Sequence, residues 1–431
     1  MSAATRFPLR VAQGGRYLVD ADERPFLMQG DSAWSLFTVP TLEDVDEYLA
    51  DRAARGFNAI VADLIEALIA HDPPRNIDGE APFSVPGDFS TLSEAYFARC
   101  DHIIERVAAH GMLLLLEPCY LGYRDPHWGQ FRDRQEGWYR EVLANGVEGC
   151  RAFGHFLGRR YAAALNILWV MSGDRDPGDA HEHVDAMAEG IMDAAPAHRL
   201  FTAHVHPGHR PVEEFAGSSW LTVNATYSYE IVHKDLLEEY RRPEARPNFL
   251  FESSYEHMHD ATELQLRRQA WWPMLTGAFG QVMGNDPLFW FGPGWHEELD
   301  STGTRAMQAW RTFWEPLPWW RFVPDERGAL VQGWGGAVAG LERVTGARTA
   351  EGDLAVVYVP VARSIKVDLG CMIGPVVHAT WYDPASGATV DAGHHPASGV
   401  VTLLAPFPED AALLLRSVDV WSGDGVSPSS G

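Results

Sequence analysis

Asn166-Ile-Leu-Trp-Val-Met-Ser-Gly-Asp174-Arg175-Asp176-Pro177 is an apolar run of strand length that stops at a carboxylate and a turn. A parallel strand buried on both faces reads as continuous apolar sequence, and an acid has no packing use at its C-terminal tip. In an α/β barrel that tip faces the open end, where catalytic groups sit. A second stretch, Asn248-Phe-Leu-Phe-Glu252-Ser-Ser-Tyr255-Glu256, has the same form.

Outward from these two runs, apolar segments of strand length alternate with segments of helical period, the signature of βαβ units. Strands are predicted near 26–29, 57–63, 112–120, 166–173, 200–206, 220–227 and 249–252, and within 280–285. The first helix is predicted from an N-cap at Thr41, with Asp44 three residues on, to a stop at Gly56. Further helices are predicted near 93–109, 142–163, 182–194, 235–240, 261–276 and 304–314, the helix after the fifth strand being the least marked. Eight such units predict an α/β fold, a (β/α)8 TIM barrel over 25–322, with an N-terminal hairpin over 1–24 packing on it. After Asp325 short alternating strands (354–361, 376–382, 400–404, 412–416) are separated by Gly/Pro turns. They predict a small antiparallel β-sandwich over 323–421, and the Gly/Ser-rich 422–431 is expected to be a disordered tail.

The 431 residues suit one large barrel and a small extra domain, and the 46% hydrophobic content supplies a core. Acidic residues outnumber basic ones, 59 to 34, for a net charge of -25. Nucleic acid and anionic membrane surfaces are therefore excluded as expected partners. Cys100, Cys119, Cys150 and Cys371 form no C-x-x-C pair and suggest neither zinc nor a disulfide framework. The N-terminus lacks the apolar stretch of a secretory signal and no run reaches membrane-spanning length, so a reduced, cytoplasmic protein is expected. No phosphate-binding glycine loop, nucleophile elbow or cofactor fingerprint occurs, and no cofactor is expected. Sixteen tryptophans and thirteen tyrosines are many. Trp34, Tyr120, Trp128, Tyr227, Trp290 and Trp295 fall at predicted strand ends or in loops, the last-but-three beside His127, which favours a cleft with stacking platforms over core filling.

Cleaving a glycosidic bond requires one carboxyl group to protonate the leaving oxygen and a second to act as nucleophile or to activate water. Asp174 after the fourth strand and Glu252 at the end of the seventh face each other across the mouth of an eight-stranded barrel. Each alone has a structural reading, Asp174 as a partner of Arg175 or a turn cap. The pair on two such strands points to catalysis. Glu256 is a rival to Glu252 and a candidate to bind substrate. Asp63 and Glu117, at two further tips, fit hydroxyl binding or support of the site. Asp31 and Trp34 fit a hydroxyl acceptor and a stacking platform. Arg175, Tyr227, Tyr255 and Trp290 complete the predicted substrate-binding set. In His204-Val-His206-Pro-Gly-His209, positions i and i+2 of a strand share a face, which permits a metal pair on His204 and His206. No third ligand is obvious at a matching tip, so no metal is expected and sugar-hydroxyl binding or tuning of a nearby carboxylate is preferred.

Several of these segments together resemble a known group. Gly30-Asp-Ser-Ala-Trp-Ser-Leu-Phe37, Leu49 with Arg52 and Gly56-Phe-Asn58, Leu157-Gly-Arg-Arg-Tyr161, Asn166-Ile-Leu-Trp169, Gly173-Asp-Arg-Asp-Pro177 and Gly277-Ala-Phe-Gly280 resemble the apiosidase-like barrel proteins, glycoside hydrolase family 140 and its uncharacterised relatives. The following sandwich resembles that group's collagen-binding-type domain, so the resemblance covers nearly the whole chain. It implies Asp174 as acid/base and Glu252 as nucleophile of a retaining glycosidase, and a branched-pentose or related furanoside such as apiose as substrate. The chain departs from the group at Thr226-Tyr-Ser-Tyr229, where Gln-Ser-Gly-His is common, and at Glu252-Ser-Ser, where Glu-Pro is common. Both places line the predicted cleft and bear on substrate identity. The expectation is an exo-acting retaining glycoside hydrolase that takes a terminal furanoside or related sugar from a plant-derived oligosaccharide or small glycoside. The alternatives are a metal-dependent barrel hydrolase built on His204 and His206, or a non-catalytic carbohydrate-binding protein.

Overall fold

The computed structural model describes residues 5–123, 137–229, 231–333 and 340–419 and divides into two compact units, Met1–Arg311 and Thr312–Gly431. The loop positions His127 and Trp128 and the tail 422–431 lie outside the described residues.

In the first unit β1 (Arg10–Val11) and β2 (Leu18–Val19) form an antiparallel hairpin. Eight parallel strands follow: β3 (Met28–Ser32), β4 (Ala59–Asp63), β5 (Leu113–Glu117), β6 (Ile167–Ser172), β7 (Phe201–His204), β8 (Asn224–Tyr227), β9 (Asn248–Glu252) and β10 (Gly280–Met283). They pair in chain order, β10 joins β3, and the ladder is open only between β7 and β8. There the Phe201 carbonyl accepts from the Thr222 and Val223 amides at 3.1 and 3.0 Å, so the barrel is nearly closed. Every residue of these strands except Glu252 is buried, as parallel strands between a filled barrel interior and an outer helical ring require.

The helices are α1 (Leu42–Ala54), α2 (Glu94–Ala109), α3 (Tyr139–Arg160), α4 (His181–Ala194), α5 (Pro211–Glu214), α6 (Val232–Tyr240), α7 (Glu263–Leu275) and α8 (Thr302–Trp314). α1 starts at a capping box, in which the Thr41 side chain accepts from the Asp44 amide and Asp44 accepts from the Thr41 amide. It ends at Gly56, whose φ of +87° lets the chain turn into β4. α5 is a single turn opened by Pro211, too short for a period to show in the sequence. Strand ends differ from expectation at two places that matter below. The first barrel strand continues to Ser32 and contains Asp31, and the fifth stops at His204. Among the described residues no helix is long and apolar enough to cross a membrane.

The second unit is all-antiparallel. β11 (Phe322–Pro324), β13 (Thr345–Thr349), β14 (Leu354–Val359), β19 (Ala411–Val418), β16 (Val376–Tyr382) and β17 (Thr389–Pro396) form one sheet in that order. β12 (Val331–Gln332), β15 (Ser364–Asp368) and β18 (Val400–Leu404) form the other. Val357, Leu413 and Trp381 of the first share a core with Ile365 and Val367 of the second, the layering of a sandwich. Five of these strands, β11, β12, β13, β15 and β17, fall outside the expected set, although Ser364–Asp368 of β15 does alternate. β17 is polar and largely exposed along its length, and Thr345-Gly-Ala-Arg-Thr349 carries no large apolar side chain.

Candidate active site

The C-terminal end of β6 turns sharply. Ser172, Gly173 and Asp174 have φ of +79°, +129° and +46° in succession. A side chain on Gly173 would collide with the Glu117 carboxylate, the Leu121 amide and the Tyr120 ring, so only glycine fits. The Ser172 hydroxyl donates to the Arg175 carbonyl at 3.0 Å and holds the corner. The corner swings Asp174 to the barrel mouth, where its carboxylate accepts from the Tyr120 hydroxyl at 3.2 Å. Opposite, Glu252 ends β9 in register with Tyr227 of β8, just past a bulge in that strand pair that re-aims Tyr227.

His204, the last residue of β7, joins the two acids. Its Nε2 lies 3.0 Å from a Glu252 oxygen and 3.9 Å from an Asp174 oxygen. Because both stand against one nitrogen, these oxygens are separated by about 7 Å or less, beneath most of the about 6.5–9.5 Å span of inverting glycosidases. On the far side of the ring, Nδ1 is 3.3 Å from Glu117 of β5. Trp34 stacks on the imidazole, with centroids 5.5 Å apart and planes 12° from parallel. The Trp34 indole N–H donates to the Tyr255 hydroxyl at 2.7 Å, and that hydroxyl donates to Ser32 at 3.1 Å.

These groups line a cavity of about 700 Å³. Asp63, Asp174, His204 and Glu252 supply its polar groups. Trp34, Tyr120, Tyr229, Tyr255, Met258 and Phe289 supply apolar and aromatic walls. The size and mixture suit a small polar ligand with apolar faces.

Burial in these walls sets the charge states. It lifts the Asp174 carboxyl to about 7, with the nearby Glu252 charge adding to the rise and His204 and Tyr120 opposing it. Burial also pushes the Glu117 carboxyl upward, and its contact with His204 pulls it back toward the ionised form. Asp63 is pushed well above the ordinary carboxylate range by burial and then by Glu117. For His204 burial opposes protonation, but the flanking Glu117 and Glu252 outweigh it, and the imidazole sits well above its ordinary value. Tyr120, Tyr227 and Tyr255 are raised by burial and stay neutral donors.

Of the residues singled out in the sequence, Asp174, Glu252, Trp34, Asp63, His204 and Tyr255 meet at this cavity. Glu117 stands behind His204. Tyr227 flanks the same ring at 5.3 Å and shares a 2.6 Å hydroxyl contact with Tyr229. Five others are placed elsewhere. Asp31 points to the helix side of the barrel, where it accepts from Tyr48 at 2.8 Å and from Arg52 at 3.3 Å. Arg175 lies over the Tyr139 ring, 3.7 Å from its centroid. Glu256 accepts from Ser301, Thr302, the Gly303 amide and Asn285, and so fixes the start of α8. The Trp290 indole donates to Asp286 at 2.8 Å, and its neighbour Phe289 faces the cavity instead. His206 does not share a face with His204: the strand has already ended, and the His206 Nδ1 lies against the Pro207 carbonyl at 3.0 Å. Among the described residues the acid–histidine groups within ligand distance are Asp176–His209–Glu214 and Glu256–His257–Glu298, and neither lines the cavity.

Sequence reasoning missed Leu68, Ile69, Tyr123, Met258, His259 and Phe289 as cavity residues. All lie in loops past the strand tips. Apolar side chains in such loops were the available signal, since loops otherwise favour polar residues.

The sequence matches, over residues 12–321, the model of a family described as apiosidase-like, catalytic domain. Residues 324–416 match a model for a collagen-binding-like domain of a collagenase. No protein of curated function matches the chain by sequence. Among solved structures, one named glycoside hydrolase is similar over 96% of this chain and 98% of its own, with 21% identity and a TM-score of 0.81. A glycoside hydrolase family 5 protein from Bacteroides vulgatus is similar over 98% and 96%, with 21% identity and a TM-score of 0.82. The family 5 mannosidase of Rhizomucor miehei, solved with mannosyl-fructose, shares 12% identity over 70% and 96% at a TM-score of 0.51. These likenesses concern the fold.

Proposed function

Because this chain belongs to the apiosidase-like family of catalytic domains and is a glycoside hydrolase, we propose that it removes a terminal sugar, of the furanoside or a related class, with retention of anomeric configuration. The observation that carries the reading is the convergence of Asp174 and Glu252 on the His204 Nε2 in one cavity at the barrel mouth. A pocket walled by Trp34, Tyr120, Tyr229, Tyr255 and Phe289 suits an exo-acting enzyme that receives the end of a chain or a small glycoside.

In the first step the protonated Asp174 donates to the glycosidic oxygen while a Glu252 oxygen attacks the anomeric carbon. The C–O bond breaks, its electron pair stays with the leaving oxygen, and a glycosyl ester forms on Glu252. In the second step the Asp174 carboxylate takes a proton from water, the water oxygen attacks the same carbon, and Glu252 leaves as carboxylate. An Asp174 carboxyl raised to about 7 is suited to this exchange of roles near neutrality. Asp63, whose buried Oδ1 has no hydrogen-bond partner, receives a sugar hydroxyl, and Trp34 and Tyr255 offer the ring an apolar face.

The test is a panel of nitrophenyl furanosides and pyranosides, apioside included, with NMR detection of the first-formed anomer. Release of the opposite anomer would replace retention by inversion. Binding without turnover across the panel would leave a carbohydrate-binding protein.

A further inference from the structure

Both nitrogens of His204 face carboxylate oxygens. Nδ1 is 3.3 Å from Glu117, and Nε2 is 3.0 Å from Glu252 and 3.9 Å from Asp174. A neutral imidazole carries one N–H and one lone pair, so one of these contacts would set lone pair against lone pair. Between two ionised carboxylates only the imidazolium carries a proton on each nitrogen, and the Nε2–Glu252 approach is an ion-pair contact rather than a hydrogen bond. The ring's charge is also matched by Trp34, stacked on its face at 5.5 Å. The remaining titratable groups near the ring are the buried Asp63 and the neutral Tyr120 and Tyr227, at 6.2 and 5.3 Å, and the apolar Phe251 packs edge-on at 4.8 Å. Glu117 and His204 are almost wholly buried, so water does not substitute for either partner.

We infer that His204 is a resident imidazolium paired with the Glu252 carboxylate, and that Glu117 is the positioning residue that keeps His204 charged. The inference deepens the reading above and rests on Glu252 being the nucleophile. Glu117 never touches the sugar; it acts through the ring. In the glycosyl–enzyme ester the Glu252 charge is gone, and the imidazolium charge 3.9 Å from Asp174 then favours the carboxylate form that the second step needs.

Two measurements test this. The first needs no turnover: ¹⁵N-detected imidazole NMR of the wild-type protein, with His204 assigned by its loss in His204→Gln and its perturbation in Glu252→Gln. Both ring nitrogens are expected to show imidazolium shifts from pH 5 to 8. A neutral His204 at pH 7 would overturn the inference whatever the enzyme's activity, and leave the two-acid mechanism standing. The second is the pH profile of kcat/KM for Glu117→Gln. With the anion gone, His204 loses its proton at lower pH, so the alkaline limb moves to lower pH by about one unit and the deficit at pH 8 is at least about tenfold greater than at pH 5.5. A uniform loss at all pH values would show a merely structural Glu117 and sink the proposal. A panel with no active substrate removes the glycosidase reading but not the NMR result.

Discussion

Asp174 and Glu252 flank one imidazole: the Nε2 of His204 stands 3.9 Å from one and 3.0 Å from the other. Two strand tips three positions apart around the barrel are thereby tied to one atom. Any change that moves the imidazole moves both acids relative to the sugar.

Glu252→Gln is expected to lower kcat by about 10³-fold or more on every substrate, with melting temperature little changed. Asp174→Asn should spare substrates whose leaving group needs no proton. The ratio of rates on a dinitrophenyl and an alkyl glycoside should therefore rise sharply in Asp174→Asn and stay flat in Glu252→Gln. Equal losses on both substrates would remove Asp174 from the acid role.

The pH dependence of stability has a definite sign. Burial raises Asp174 to about 7 and Asp31 to about 6, so the folded chain holds these protons more tightly than the unfolded one. Their contribution is complete below the ordinary carboxylate values and is lost as pH climbs through about 6 to 7. Melting temperature is expected to fall across that window, and Asp174→Asn should flatten the fall. A melting temperature that rises from pH 4.5 to 7.5 in both proteins would contradict this.

Asp31, inside β3, and Asp63, the last residue of the adjacent β4, should behave in opposite ways. Asp31→Ala, which breaks the contacts to Tyr48 and Arg52, is expected to cost about 3 kcal/mol of stability with kcat/KM per folded molecule unchanged. Asp63→Asn should leave stability near that of the wild type and raise KM about tenfold, the worth of one hydrogen bond to substrate. Denaturant titration and steady-state kinetics on both variants separate the cases.

That contrast marks how far the sequence could be read. Both residues look alike there, an acid at the end of an apolar run. Strand parity decides between them. Asp31 is register partner to Ile60, which packs outward with the helices, whereas Asp63 pairs with Glu117 and faces inward. Register is a property of two chains meeting, and a single run does not declare it. The tips at Asp174 and Glu252 were legible because long apolar runs and a carboxylate stop need no partner to be recognised. The His204–His206 pair failed for a related reason. Two-residue spacing has meaning only while the strand lasts, and it ends at His204.

Glu256→Gln is expected to cost about 3 kcal/mol, because Ser301, Thr302 and the Gly303 amide lose a charged acceptor at the start of α8. Tyr255 sits on the same loop and touches Trp34, so KM should rise as well. Full stability in this variant, read by thermal unfolding, would show that the acceptor's charge is dispensable.

The left-handed corner at Ser172–Asp174 has a consequence for which acid this barrel can own. Among residues with side chains, aspartate and asparagine visit that backbone region most readily, through local bonds that a longer chain makes poorly. The choice of the shorter carboxyl is thus written into the main chain before any substrate arrives. A descendant or redesign that traded it for glutamate would have to rebuild the bend itself, and a relative that keeps the bend but carries asparagine there would wear the outline of an enzyme without its proton.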